Sequence, residues 1–263
     1  MNNIFVYCEI AEGKVADVSK ELLTKASQLA LELGCKTEAI VIGNNLKKET
    51  IEIVAQYGAD IIHVADGEEL YPYRTLPHTA IVCHLFKQEQ PQIALFGAST
   101  LGRDLAPRVS SKLHSGLTAD CTSLEIGDHK EAKTGKEYTN LLYQIRPAFG
   151  GNIIATIINP NHRPQMATVR EGVMKMEPRQ GKVEFEVKKI DYKDIVKPSD
   201  FAVTIIDRHI SESKINIKGA PIIIAGGYGV GSKENFDKLH ELAALLGGEV
   251  AASRAAVDAG FAE

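Results

Sequence analysis

Three stretches of the chain hold residue types able to handle a ligand. The first is Pro221-Ile-Ile-Ile-Ala-Gly-Gly-Tyr-Gly-Val-Gly-Ser-Lys-Glu-Asn-Phe236. A β-branched apolar run reads as a buried strand. Gly226, Gly227, Gly229 and Gly231 then free the backbone to turn and present its N–H groups, and Ser232 is a good N-cap. Phe236, Leu239, Leu242, Ala243 and Leu246 follow at helical spacing, with Gly247 as the stop. Strand, glycine loop and helix N-terminus predict a seat for a phosphate-bearing ligand. The same pattern also describes a tight βα turn that binds nothing. It is not a dinucleotide fingerprint, because the spacing Gly227-x-Gly229-x-Gly231 departs from G-x-G-x-x-G. In addition, Glu249 precedes the next strand, Val250–Ala252, instead of ending it. No Gly-Lys-Ser/Thr closes the loop, so a P-loop is excluded as well.

The second stretch is Ser253-Arg254, which follows that next strand and so falls at the same carboxyl sheet edge as the glycine loop, where open α/β sheets take ligands. Arg254 is there either a solvated charge or a ligand clamp. The third is Tyr143-Gln-Ile-Arg-Pro-Ala-Phe-Gly-Gly-Asn152, with Arg146 at a strand end, placed to point into an interface. A further strand-to-helix junction, Gly97-Ala-Ser-Thr-Leu-Gly-Arg-Asp-Leu-Ala-Pro-Arg108, has hydroxyls at the cap position. It could hold an anion, although a capped helix with Arg103 and Asp104 in surface pairs describes it better. Metal and nucleophile chemistry find little footing. His78, Cys83 and His84 have no second cluster to complete a four-ligand site, Cys121 lacks a nucleophile signature, and no Gly-x-Ser-x-Gly elbow occurs. Any chemistry is expected to come from a cofactor.

The elements that must position these groups are regular. Strands are predicted at 4–8, 38–43, 60–64 and 91–97, alternating with helices at 16–33, 46–57, 75–86 and 101–113. This is a mainly parallel sheet with right-handed crossovers. After Leu117 the strand-like runs 121–126, 138–143, 153–158, 165–169 and 182–188 have little helix between them. They predict an additional, partly antiparallel sheet closing the first domain. Residues 191–200, polar with Pro198, read as a boundary, and a strand at 201–206 opens a second α/β domain. The expected division is 1–200 and 201–263.

The 263 residues suit about two domains. With 30 Lys and Arg against 34 Asp and Glu, the net charge of -4 gives no reason to expect nucleic-acid binding. No apolar run reaches the roughly 20 residues of a membrane span. Four scattered cysteines behind a start that lacks a signal peptide read as reduced thiols in a cytoplasmic setting.

Leu105-Ala-Pro-Arg-Val109, Gly116-Leu-Thr-Ala-Asp-Cys-Thr122, Arg146-Pro-Ala-Phe-Gly-Gly-Asn152, Thr168-Val-Arg-Glu-Gly172, the Gly226–Phe236 loop and Ala252-Ser-Arg-Ala-Ala-Val-Asp-Ala-Gly260 span essentially the whole chain in order. Together they resemble the alpha subunit of an electron transfer flavoprotein. The resemblance implies an adenine-nucleotide-hydrolase-like first domain that pairs with a beta subunit. It also implies a second domain that holds FAD and swings toward acyl-CoA dehydrogenase-type partners. Gly227 and Gly229 would lie near the FAD phosphates or sugar. Tyr228 stands where many relatives carry arginine, so a stacking or hydroxyl contact would replace a cationic one. Ser253 and Arg254 would lie near the isoalloxazine, where a fixed positive charge favours reduced and anionic flavin and raises its one-electron potential.

The Arg146 block resembles the branch that performs flavin-based electron bifurcation. There a second flavin takes hydride from NADH and sends electrons singly to ferredoxin or flavodoxin and to a dehydrogenase. A second FAD, or an AMP, is expected mainly in the beta subunit, with Arg146 reaching it across the interface. The resemblance thus implies a redox carrier, or a subunit of a bifurcating NADH-dependent acyl-CoA dehydrogenase or reductase complex. The family pattern continues past Gly260 with a Gln-Thr-Gly and a Gly-Ile-Ser-Gly block that this sequence does not include, so the second domain is expected to be truncated. Two other readings stay open: an adenine-nucleotide-binding hydrolase-like module, and an interaction subunit without flavin.

Overall fold

The computed structural model describes residues 2–148, 153–208, 217 and 220–262. The chain divides into two compact units, Met1–Ile205 and Ile206–Glu263. In the first unit the order is β1 (Ile4–Cys8), the small strands β2 (Ile10–Ala11) and β3 (Lys14–Val15), α1 (Asp17–Leu33), β4 (Thr37–Gly43), α2 (Lys48–Gln56), β5 (Ile61–Asp66), α3 (Thr75–Glu89), β6 (Ile93–Gly97) and α4 (Thr100–Leu113). There follow β7 (Leu117–Cys121), β8 (Ser123–Lys130), β9 (Glu137–Pro147), β10 (Ile154–Ile157), β11 (Gln165–Val169) and β12 (Glu186–Lys189).

Seven strands form one sheet in the order β12-β5-β4-β1-β6-β11-β7, with every pairing parallel. Alternation along β1 explains the layers, since successive side chains leave a strand on opposite faces. Ile4, Val6 and Cys8 pack with Leu22, Leu29 and Val54 of α1 and α2, whereas Phe5 and Tyr7 pack with Ile81, Phe86 and Leu105 of α3 and α4. Both faces are therefore sealed, as a parallel sheet requires.

The four strand–helix repeats are where the periodicity predicts them. The later strands are not. Of these later strands, β8, β9 and β10 make a separate antiparallel sheet. β11, expected in that extra segment, is buried along its whole length and enters the parallel sheet between β6 and β7. β12 is shorter than the expected 182–188 run and pairs with β5 at the opposite edge. The expected strand at 201–206 is absent. A short 3-10 turn occupies Pro198–Phe201, fixed by Lys197 N–H donating to Asp200, and residues 202–208 pair with no strand among the described residues.

The second unit contains β13 (Ile223–Gly226), α5 (Lys233–Leu246), β14 (Glu249–Ala252) and α6 (Arg254–Asp258). β13 and β14 pair in parallel, from Ile223 opposite Glu249 to Gly226 opposite Ala252. No helix among the described residues is long and apolar enough to cross a membrane.

Candidate functional site

Because β13 and β14 are parallel and in register, their carboxyl ends stop side by side. Ser253 N–H closes the gap by donating to Gly226 O at 2.9 Å. Gly226 is glycine for packing reasons: a Cβ there would stand 2.7 Å from Leu239 and from the Phe236 ring, so α5 could not lie on the strand. Past it the chain makes a 3-10 turn over Tyr228–Val230, and Gly231 ends the turn at φ 83°, a conformation that favours glycine. Ser232 then caps α5, its Oγ accepting from Asn235 N at 3.3 Å, while Asn235 Nδ2 donates to Val230 O at 2.9 Å and pins the loop to the helix.

The rest of the rim is open. A Cβ at Gly227 would meet only Ser253 Oγ, at 3.8 Å, and one at Gly229 would meet nothing. The loop backbone is thus bare of side chains on the side that Ser253 faces, with the cap of α5 beside it. Tyr228 is 65% exposed, its ring 5.7 Å from that of Phe261. Ser253 caps α6, and Arg254 begins it with Nε donating to Asp258 at 2.8 Å. This exposed pair contributes little stability. A cation in the first turn of a helix also sits at the end that prefers anions, which argues for a role outside the helix.

Five of the residues singled out from the sequence, Gly227, Tyr228, Gly229, Ser253 and Arg254, therefore share one sheet edge. The sixth, Arg146, belongs to the first unit, on β9 opposite Ala155, with Nε donating weakly to Pro147 O at 3.4 Å. The turn expected at 149–152 lies outside the described residues. Sequence reasoning missed the neighbours of Arg146. Asp120, in the left-handed region at φ 63°, accepts from Arg170 Nη2 at 2.7 Å and from Arg103 Nη2 at 3.2 Å. The Arg170 hydrogen bond holds the Asp120 carboxyl below the usual range, and the charges of Arg103 and Arg146 add to this. The signal was present in the Leu-Thr-Ala-Asp-Cys and Thr-Val-Arg-Glu-Gly blocks, but only the fold brings them together. Burial pushes the Cys121 thiol up to about 11, so it is no nucleophile at neutral pH. Among the described residues no group of His, Cys, Asp and Glu is arranged to hold a metal ion.

Residues 4–195 match the electron transfer flavoprotein domain, and residues 216–263 match the electron transfer flavoprotein FAD-binding domain. The chain belongs to the electron transfer flavoprotein family, as an alpha subunit. Protein FixB of Clostridium saccharobutylicum is 44% identical over 99% of this chain and 74% of its own length. The electron transfer flavoprotein subunit alpha of Thermoanaerobacterium thermosaccharolyticum is 40% identical over 98% of this chain and 75% of its own. The subunit LctC of a lactate dehydrogenase (NAD(+),ferredoxin) from Acetobacterium woodii is 36% identical over 98% of this chain and 59% of its own. As an electron transfer flavoprotein alpha subunit, the chain carries electrons through FAD between a dehydrogenase and other redox partners. The glycine rim lies inside the FAD-binding match. Its bare backbone, with Ser253 opposite, fits a ligand that brings phosphates close to main-chain N–H groups.

Proposed function

We propose that this alpha subunit holds FAD at the carboxyl edge of β13 and β14 and works in an NADH-dependent electron-bifurcating complex. The observation that carries the reading is the convergence of Gly227, Gly229, Ser253 and Arg254 on that one edge. When bound, the flavin supplies one- and two-electron redox chemistry. Gly227 and Gly229 let main-chain N–H groups approach its phosphates or sugar. Tyr228 offers a ring and a hydroxyl where a cation would otherwise stand. Ser253 donates or accepts through its hydroxyl near the isoalloxazine, and Arg254 releases Asp258 to set a positive charge beside it.

Bifurcation is supported by the Arg146 block and by the likeness to a subunit whose enzyme is named for NAD(+) and ferredoxin. In this reading the first unit pairs with a beta subunit carrying a second FAD or an AMP, and Arg146 reaches that cofactor. Arg103 and Arg170 share Asp120, and in this reading the Arg146 guanidinium turns to the partner's cofactor. Electrons then pass to ferredoxin or flavodoxin and to an acyl-CoA dehydrogenase-type partner, in the cytoplasm. Replacing Arg146 by Ala in the heterodimer is expected to uncouple NADH oxidation from ferredoxin reduction while FAD content stays unchanged, and intact coupling would remove Arg146 from the mechanism. Arg254→Ala is expected to lower the flavin's one-electron potential, so a redox titration indistinguishable from wild type would place Arg254 away from the flavin.

A further inference from the structure

The flavin site leaves the junction after β6 unexplained. It lies where the strand order reverses, between β1 and β6, at the carboxyl edge of the sheet. Open α/β sheets bind ligands at such a switch point, typically with a phosphate at the following helix N-terminus. Here the crevice is filled from within. Glu9, directly after β1, is 7% exposed, and Ser99 Oγ stands 2.7 and 2.8 Å from its two carboxylate oxygens. Ser99 is the N-cap of α4 and accepts from Gly102 N at 3.0 Å, so one hydroxyl links the helix N-terminus to the carboxylate. Gly97 and Gly102 let the strand end and the helix close on it. A Cβ at Gly97 would lie 2.7 Å from Glu9 Oε1, and one at Gly102 would lie 3.3 Å from the same atom. The backbone of Glu9 is held too, its N–H donating to Ser19 Oγ at 2.8 Å and its carbonyl accepting from Ala16 N at 2.9 Å.

A cap needs only Ser99. A buried carboxylate is costly and asks for a reason of its own. Burial raises the Glu9 carboxyl, and the Ser99 hydrogen bond opposes that rise. We propose that the buried Glu9 carboxyl group occupies the switch-point crevice of the first unit, so that a sheet edge built like a nucleotide-binding one refuses phosphate-bearing ligands. A small oxyanion, inorganic phosphate or a phosphate monoester, is the ligand class that its removal would admit.

The test uses the flavin-loaded full chain, with inorganic phosphate, AMP and acetate as probes against chloride at matched ionic strength. In the wild type none of them should alter amide exchange across residues 97–103. Protection there by phosphate or AMP would overturn the proposal without any variant. In Glu9→Ala, phosphate at about ten times its Kd should slow exchange across 97–103 about tenfold and raise Tm. Acetate should do the same by replacing the lost carboxylate. Glu9→Gln refills the space and should respond to none of the three. A folded Glu9→Ala chain indifferent to both phosphate and acetate would overturn the proposal. So would a Glu9→Ala chain that folds in none of the three while Glu9→Gln folds, because Glu9 would then be a packing group.

Discussion

The two units carry the same motif, a parallel strand ending in a glycine-containing turn and a serine-capped helix, and use it in opposite ways. In the first unit β6 ends against Glu9, and seven strands are covered on both faces by helices. In the second, β13 ends in an open glycine rim on a two-stranded sheet. Among the described residues only Phe236, Ala243 and Ala256 of that unit's apolar side chains are buried, while Ile223, Leu242, Leu245 and Leu246 stay exposed. The large core provides stability and leaves no room at its sheet edge. In the second, the rim stays open among the described residues, and a ligand that binds only the folded form adds directly to that unit's stability.

The largest expected effect attacks the small core. Phe236 is 2% exposed, packs against the Gly226 strand end, and its replacement by Ala removes about 3–5 kcal/mol. The second unit is then expected to lose hydrogen-exchange protection and flavin together while the first keeps both its protection and its unfolding transition. Simultaneous loss in both units would show that they unfold as one body and break the comparison.

Acid should strike the other unit. His78, buried between α3 and β1, donates from Nε2 to Leu70 O at 3.0 Å and accepts at Nδ1 from the Tyr7 hydroxyl at 2.7 Å. Burial keeps it neutral and lowers its pKa from 6.5 to about 4. Below pH 6.5 the unfolded chain takes up a proton that the folded unit refuses. Stability present above that pH is therefore lost on the way down to about 4, by about 3 kcal/mol. The urea midpoint of the first unit should fall accordingly as pH drops across this window. His78→Gln should be less stable at pH 7 but flatter toward acid, and parallel curves for the two proteins would assign the acid loss elsewhere.

The smallest effect is the sharpest contrast. Gly97→Ala places a methyl 2.7 Å from Glu9 and 2.9 Å from Val18, and is expected to cost about 1–3 kcal/mol. Gly229→Ala meets nothing, so stability should hold within about 0.5 kcal/mol. Flavin affinity should nevertheless fall in Gly229→Ala, read as FAD released on dilution. Retained affinity would mean that this stretch of the rim does not touch the cofactor.

What was legible in the sequence follows the same division. The first four strand–helix repeats announce themselves because apolar residues recur at 3.6 or run unbroken through buried strands, and both signals are local. Where β11 and β12 pair is not local. Gln165–Val169 reads equally well as any buried strand, and only its register against Ile93–Gly97 assigns it to the parallel sheet. Val203, Ile205 and Ile206 have the composition of a strand but pair with none among the described residues, and they stay exposed. At the candidate site, glycine spacing and the Ser253-Arg254 pair sufficed to find one edge. The Asp120–Arg170–Arg103 cluster and the Glu9–Ser99 link join residues 50 and 90 positions apart, and no spacing rule spans that distance.

The route to β12 has a further consequence. After β11 the chain crosses to the far side of the sheet, and on the way Arg179 is tied to Gly58 O, Ser27 and Asp60. β12 then completes the sheet against β5, which precedes it by more than a hundred residues. A contact of such sequence separation closes slowly. During synthesis β5 stays an open, pairing-competent edge until residue 189 has emerged. A truncation just short of Glu186 would leave the β5 edge unpaired for good, and such a chain is expected to aggregate where the longer one does not.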